Sequence, residues 1–287
     1  MTTRCLPPLD HTSAPRVKLP AGACDCHAHV ILPEAAHPFV ANRSYTPPPA
    51  TLDAYKALHK QLGIQRAVIV QPSVYGTNNS VTLDAIAQYG DDCRGIAVIE
   101  PDCCAKDLAQ LDAGGIRGVR INTLFGGGID LGALDALAGC AADMGWHIQL
   151  LIDGPTLATL EPKLSALPVQ IVIDHMGHIQ TRDGLNQPGF VALRRLISSG
   201  KGWVKLSGNY RISDQRPNFE DAVPFAKVLL RDALDRIVWG TDWPHPAMCD
   251  FMPDDGKLLD SLDYYVDSSS QKHAVLVDNP AALYGFE

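Results

Sequence analysis

The sequence predicts an α/β fold: a single (β/α)8 TIM barrel over residues 23–287, preceded by an irregular N-terminal arm over residues 1–22. Three observations carry that prediction. Eight short, β-branched apolar runs alternate with longer amphipathic or small-residue stretches. Runs such as Ala67-Val68-Ile69-Val70 and Ile171-Val172-Ile173 are apolar without interruption, as parallel strands buried on both faces are. Polar residues then collect where the runs end, and the carboxyl ends of its strands are where such a barrel carries its chemistry. Of the 287 residues, 46% are hydrophobic and 20% charged, enough to bury a large core and to exclude a disordered chain.

In chain order, Pro7, Pro8, Pro15 and Pro20 break any periodicity in the arm. The eight strand-like runs are Ala23 to His27, Ala67 to Gln71, Gly95 to Ile99, Gly118 to Asn122, His147 to Ile152, Val169 to Asp174, Trp203 to Ser207 and Arg236 to Gly240. Between them Leu52 to Leu62, Val81 to Gln88, Leu108 to Ala113, Leu131 to Met144, Thr156 to Leu164, Phe190 to Ser198 and Phe219 to Leu234 read as helices, and Ser261 to Asp278 ends the series. An open doubly wound sheet would carry a G-x-G-x-x-G turn after its first strand, and that turn is absent. Gly126-Gly127-Gly128 follows the fourth run instead and reads as a mobile loop over the site. No internal repeat or low-complexity linker divides the chain.

The 24 Lys and Arg against 32 Asp and Glu give a net charge of −8, which disfavours nucleic acid and anionic membrane as partners. An anionic small molecule would have to be drawn by a few local arginines. None of the eight cysteines forms a C-x-x-C pair, so a zinc-ribbon or thioredoxin reading fails. With no signal-peptide pattern in the first thirty or so residues and no apolar run near twenty, the expectation is a cytoplasmic protein with reduced thiols.

The run ends are not random. The first ends Asp25-Cys26-His27-Ala28-His29, and strand alternation puts His27 and His29 on one side, as half a metal site or as a pair of substrate-facing imidazoles. The fourth carries Arg120 and Asn122 inside an apolar frame. A guanidinium there needs an anion, either a substrate carboxylate or a structural partner such as Glu100. The sixth ends Asp174-His175, with His175 placed to polarise a carbonyl or move a proton and His178 further out. The seventh continues into Ser207-Gly208-Asn209-Tyr210-Arg211, adding a phenol and a second guanidinium. The eighth continues Gly240-Thr241-Asp242-Trp243-Pro244-His245. Asp242 either completes a set with His27, His29 and His175 around one water or caps the next turn. His11, His37, His59 and His273 read as solvated, His147 as structural at the opposite rim, and Cys24 and Cys26 as core.

Taken together, the D-x-H-x-H string at Asp25 to His29, Asp174-His175, the Lys205 to Arg211 segment and Trp239-Gly240-Thr241-Asp242-Trp243-Pro244-His245 resemble the amidohydrolase superfamily. More narrowly they resemble its branch of pyrone-dicarboxylate, sugar-lactone and muconolactone hydrolases, over about Gly22 to Phe286. The resemblance implies a barrel that hydrolyses a small carboxylated lactone. Asp242 would be the general base, and His27, His29 and His175 would polarise the carbonyl and stabilise the oxyanion. Ser73, Arg120, Tyr210 and Arg211, with His245, would form the substrate-binding set.

Two departures qualify the likeness. Metal-dependent members carry a ligand on the fifth strand, where this chain has His147-Ile148-Gln149-Leu150-Leu151-Ile152; Gln149 is a poor zinc ligand, so no cofactor is favoured. A single divalent ion such as zinc would fall to His27, His29 and Asp242. The dicarboxylate enzymes also carry an Arg just beyond the fourth strand, where Thr123-Leu124-Phe125 stands here, which favours a substrate with a single carboxylate, or a sugar-acid lactone with hydroxyls, over the pyrone dicarboxylate. A mononuclear metal-dependent amidohydrolase or decarboxylase and a lactone isomerase are the rival readings.

Overall fold

The structure is a computed structural model that describes residues 2–287. Eight parallel strands follow one another around a nearly closed barrel: β1 (Cys24–Ala28), β2 (Arg66–Val70), β3 (Cys93–Ala97), β4 (Ile116–Asn122), β5 (His147–Leu151), β6 (Ile171–Ile173), β7 (Gly202–Leu206) and β8 (Ile237–Trp239). Each pairs with its sequence neighbour, as in Arg120↔Gln149 and Ile173↔Val204. The connecting helices are α1 (Leu52–Leu62), α2 (Ser80–Tyr89), α3 (Ala105–Ala113), α4 (Leu134–Met144), α5 (Gly154–Ala166), α6 (Pro188–Ser198) and α7 (Val223–Ala233). Their ends follow local chemistry. The Thr51 hydroxyl accepts from Ala54 N at the start of α1, Gly63 ends that helix at φ +80°, and Asp153 accepts from Thr156 N at the start of α5.

The barrel closes between β1 and β8 by side-chain and post-strand contacts. The Asp25 carboxylate accepts from Thr241 N (2.9 Å) and Thr241 Oγ1 (2.6 Å). Asp242 N then donates to His27 O, and His29 N to Trp243 O, both at 2.8 Å. Gly240 is required here, because a Cβ would sit 2.7 Å from His27 N. On its other side Asp25 accepts from Tyr55 of α1 (2.9 Å) and faces His59 at 3.4 Å, so this acid ties seam and helix layer together.

Inside the barrel Cys24, Cys26, Val68, Val70, Ile96, Val172 and Val238 form one apolar cluster with Tyr284 and Phe286. Phe286 stacks against Arg66 and Arg94 at the amino ends of β2 and β3, and Tyr284 against His147 at the start of β5, so the C-terminal residues plug the barrel from below. The arm lies against the β8 side: Thr12 and Ser13 donate to Asp254, and Arg16 to Asp260.

Two expectations need correction. His59 is 2% exposed rather than solvated, because its helical spacing from Tyr55 and Leu62 places it on the buried face of α1, against Asp25 and Tyr89. The Ser261–Asp278 stretch is not one helix. Short helices at Asp255–Asp260, Leu262–Tyr265 and Ser269–His273 precede a π turn over Ala274–Asp278 and a last helix at Asn279–Tyr284. The glycines after β4 serve close approach: a Cβ on Gly126 or Gly127 would collide with the backbone carbonyl of Asn42 or Ser73.

Replacing Asp25 with Ala should therefore strand the Thr241, Tyr55 and His59 groups and cost about 3–5 kcal/mol in urea unfolding. A loss below about 1 kcal/mol would show that the seam does not depend on this carboxylate.

Candidate active site

The site begins with a bulge. Residues Asp25 to Ala28 of β1 oppose only Ala67 to Ile69 of β2, so one extra residue is accommodated. Strict alternation would send His27 to the same side as Asp25, toward α1. The bulge re-aims it onto the barrel axis, where its ring stands 5.0 Å from that of His29 and 4.5 Å from that of His175. Beyond β6 and β8 the backbone takes left-handed conformations at non-glycine residues: His175 (φ 50°), His178 (φ 48°), Asp242 (φ 65°) and His245 (φ 60°). Such dihedrals carry a cost of about 1–3 kcal/mol each, and their clustering at one mouth marks a built site.

Asp242 stands at the centre. Its Oδ2 is held by Tyr210 OH and Arg211 Nε, each at 2.6 Å. Its Oδ1 is buried without a hydrogen-bond partner, 3.8 Å from His27 Nε2, 3.9 Å from His29 Nε2 and 3.6 Å from His175 Nε2. Burial alone would raise this carboxyl, but Arg211 above all holds it well below the usual carboxylate range. One oxygen is thus saturated and the other is a free base.

Beneath lies a buried ionic layer. Asp174 Oδ2 accepts from Gln149 Nε2 (3.0 Å) and Arg120 NH2 (3.3 Å), while its Oδ1 faces His27 Nδ1 (3.2 Å) and Lys205 Nζ (3.4 Å). Lys205 donates to Cys26 O (2.8 Å) and Gln149 Oε1 (2.7 Å) and lies 3.2 Å from His27 Nδ1. His29 Nδ1 donates to Val70 O (2.7 Å), leaving its Nε2 as an acceptor 3.3 Å from His27 Nε2. His27 Nδ1 is shared: Lys205 can donate to it, which puts His27 Nε2–H on His29 Nε2, and Asp174 Oδ1, equally at 3.2 Å, can accept from it. Burial, reinforced by Lys205 at His27 and by Arg120 at His29, lowers both imidazoles to about 3. His175, whose Nδ1 lies 2.8 Å from Ser207 Oγ, is lowered as well, again mainly by burial.

Of the residues singled out by sequence, His27, His29, His175 and Asp242 converge. Arg120 and Arg211 line the same narrow cleft, which has room for about one water molecule, together with His29, His175, His178, Tyr45, Asn122 and Phe125. Arg120 is paired with Asp174, not with Glu100, which is exposed. Its Nε, Asn122 Nδ2 and His178 Nε2 are buried without partners on the cleft wall. Ser73 sits behind the wall, 3.4 Å from Tyr45 OH. Tyr210 and His245 lie outside the lining and face the back of Asp242. The tightest potential ligand set is His27, His175 and Asp242, within 4.8 Å of one another, with His175 in the place expected for His29. Lys205 and Gln149 went unassigned by motif, although a lysine inside Trp203-Val204-Lys205-Leu206 is itself a signal that a buried anion must be near. A larger cavity of about 640 Å³ between the arm, Phe219 and Phe251 contains none of these groups.

The amidohydrolase family model matches residues 24–286. The chain is 36% identical to a 4-sulfomuconolactone hydrolase of Hydrogenophaga intermedia, covering 99% of this chain and 96% of that one. It is 36% identical to a 2-pyrone-4,6-dicarboxylate hydrolase of Comamonas testosteroni (95% and 93% covered) and 32% identical to a D-galactarolactone isomerase of Agrobacterium fabrum (95% and 94%). An apo crystal structure of an Agrobacterium tumefaciens protein, 32% identical, superposes with a TM-score of 0.86 over 96% of this chain and 99% of that one.

The buried imidazoles make stability depend on pH. His27, His29 and His147 are lowered to about 3 from the usual 6.5, so between those values the unfolded chain binds protons that the folded chain refuses. Stability is therefore full above pH 6.5 and falls as pH drops toward 3, with a slope of up to about 1.4 kcal/mol per pH unit for each such group. Urea unfolding at pH 7.5, 6 and 5 checks this, and equal stability at all three would contradict the buried neutral histidines.

Proposed function

The chain belongs to the amidohydrolase family, and on that premise we propose that it hydrolyses a small lactone carrying a single anionic group, with Asp242 activating the water. The observation that carries this reading is the unpartnered Oδ1 of Asp242, a residue of the cleft wall, with three imidazole nitrogens 3.6–3.9 Å from it. Water between Oδ1 and the lactone carbonyl gives its proton to Asp242 as its oxygen bonds to carbon. Ser207 donating to His175 Nδ1 leaves His175 Nε2–H to bind the developing oxyanion. When the ring C–O bond breaks, the proton on Asp242 passes to the leaving oxygen. The product is a hydroxy acid, heavier than the substrate by one water.

The charges in the cleft support a monoanion. Arg120 and Arg211 already face Asp174 and Asp242, so little uncompensated positive charge remains. The unpartnered Arg120 Nε, Asn122 Nδ2 and His178 Nε2 offer donors for one carboxylate or sulfonate and for neutral oxygens. Tyr45 and Phe125, edge to face at 5.5 Å, form an outer wall that must part to admit the ring.

The donor set also fits one divalent ion such as zinc: His27, His175 and Asp242 would hold it, with His29 adjacent. When bound, such an ion would polarise the carbonyl and acidify water. Ligation through His27 Nε2 requires its proton on Nδ1, toward Asp174, whereas Lys205 at Nδ1 favours the opposite tautomer. The engagement of Gln149 by Lys205 and Asp174 keeps that side chain out of any donor set and supports the metal-free mode.

Purified protein of known metal content should open monoanionic lactones with acid release that survives chelation. Asp242→Asn should lower kcat by about 10²–10⁴-fold while keeping a cooperative melt. No acid release from any lactone, or a product of unchanged mass, would overturn hydrolysis in favour of the isomerase reading. Activity that tracks bound metal would overturn the metal-free mode.

A further inference from the structure

We propose that His245 and Asp255 are positioning residues that hold the Tyr210 hydroxyl as a donor to the back of Asp242. The proposal rests on the assignment of Asp242 as the base. Four side chains run in line behind the cleft: Asp242 Oδ2 to Tyr210 OH at 2.6 Å, Tyr210 OH to His245 Nδ1 at 2.8 Å, and His245 Nε2 to Asp255 Oδ1 at 3.2 Å. All are at least 95% buried, and of the four only Asp242 lines the cleft. They do not contact substrate space, so their effect must pass through Asp242.

The direction of each hydrogen bond follows from proton counting. Tyr210 has one hydroxyl proton and two neighbours. With Asp242 a carboxylate, that proton must go to Oδ2, because an oxygen lone pair facing a carboxylate at 2.6 Å is repulsive. The Tyr210 oxygen is then an acceptor toward His245, so His245 Nδ1 must carry hydrogen. The Asp255 carboxylate 3.2 Å from Nε2 attracts hydrogen to that nitrogen as well, so the ring is held with hydrogen on both nitrogens, one toward Tyr210 and one toward Asp255. Were Nδ1 an acceptor, it would draw the phenolic proton away from Asp242 and leave Oδ2 held by Arg211 alone, which loosens the aim of the other oxygen. The backbone bond from His245 N to Asp242 O (2.7 Å) and the left-handed φ of both residues lock the turn on which the relay depends.

Two readouts test the proposal. In protein labelled with nitrogen-15 at histidine, His245 should show a downfield, slowly exchanging Nδ1 proton that disappears in Tyr210→Phe. A signal unchanged by that substitution overturns the relay. In steady-state kinetics on an opened lactone, His245→Leu and Tyr210→Phe should each lower kcat about tenfold with KM within twofold. The double variant should be no slower than Tyr210→Phe alone. His245→Asn, whose amide nitrogen overlays Nδ1, should recover most of the loss, and Asp255→Asn should lower kcat by a smaller factor. Multiplicative losses, or a raised KM at unchanged kcat, would overturn the proposal; the latter would make His245 a substrate contact. A wild-type protein that opens no lactone would overturn the function proposed above, and the proton resonance would still decide the relay.

Discussion

The contact between β1 and β8 is the constraint on which the mouth of this barrel depends. The strand ladder stops short of closing the circle, and Asp25 completes it by accepting from both the backbone and the hydroxyl of Thr241. That closure brings the His27 carbonyl onto Asp242 N and the Trp243 carbonyl onto His29 N. The two histidines and the acid are thus fixed by the same hydrogen bonds that finish the fold. Gly240 permits the approach and the β1 bulge turns His27 inward, so small backbone features decide whether three imidazoles and a carboxylate meet at all.

The second requirement is electrostatic. Two buried acids, Asp174 and Asp242, face Lys205, Arg120 and Arg211, in a region where any unpaired charge would cost several kcal/mol. The arrangement leaves one carboxylate oxygen on the wall of the cleft. Asp174 is spent on the ionic layer below, and Oδ2 of Asp242 is spent on Arg211 and Tyr210. Oδ1 of Asp242 remains unpartnered, beside imidazoles kept neutral by burial. Lys205 and Asp174 link layer and site, because both meet His27 at Nδ1.

Much of this was legible in the sequence. Uninterrupted apolar runs such as Ile171-Val172-Ile173 announce a parallel sheet, and the polar run ends locate the site. What alternation alone could not reveal is the bulge, which shows only in the pairing of β1 with β2. The partner of Arg120 was equally hidden, because Asp174 meets it across the barrel from another strand end, while Glu100 lay nearer in sequence. The Tyr210 and His245 side chains were legible as polar groups at the mouth, but whether they face substrate or the back of Asp242 depends on a helical turn at Asn209–Ile212 and a left-handed residue at 245. His59 was legible and misread: the spacing that buries Tyr55 and Leu62 buries it too.

The central claim is that Asp242 delivers water directly to a lactone carbonyl. A single turnover with enzyme in excess, run in oxygen-18 water and read by mass spectrometry, tests it most directly. The account predicts a ring-opened product carrying one labelled oxygen in its new carboxylate after the first turnover. A product of unchanged mass would reveal isomerisation, and an unlabelled carboxylate in the first turnover would reveal attack by a protein side chain; either would contradict the account.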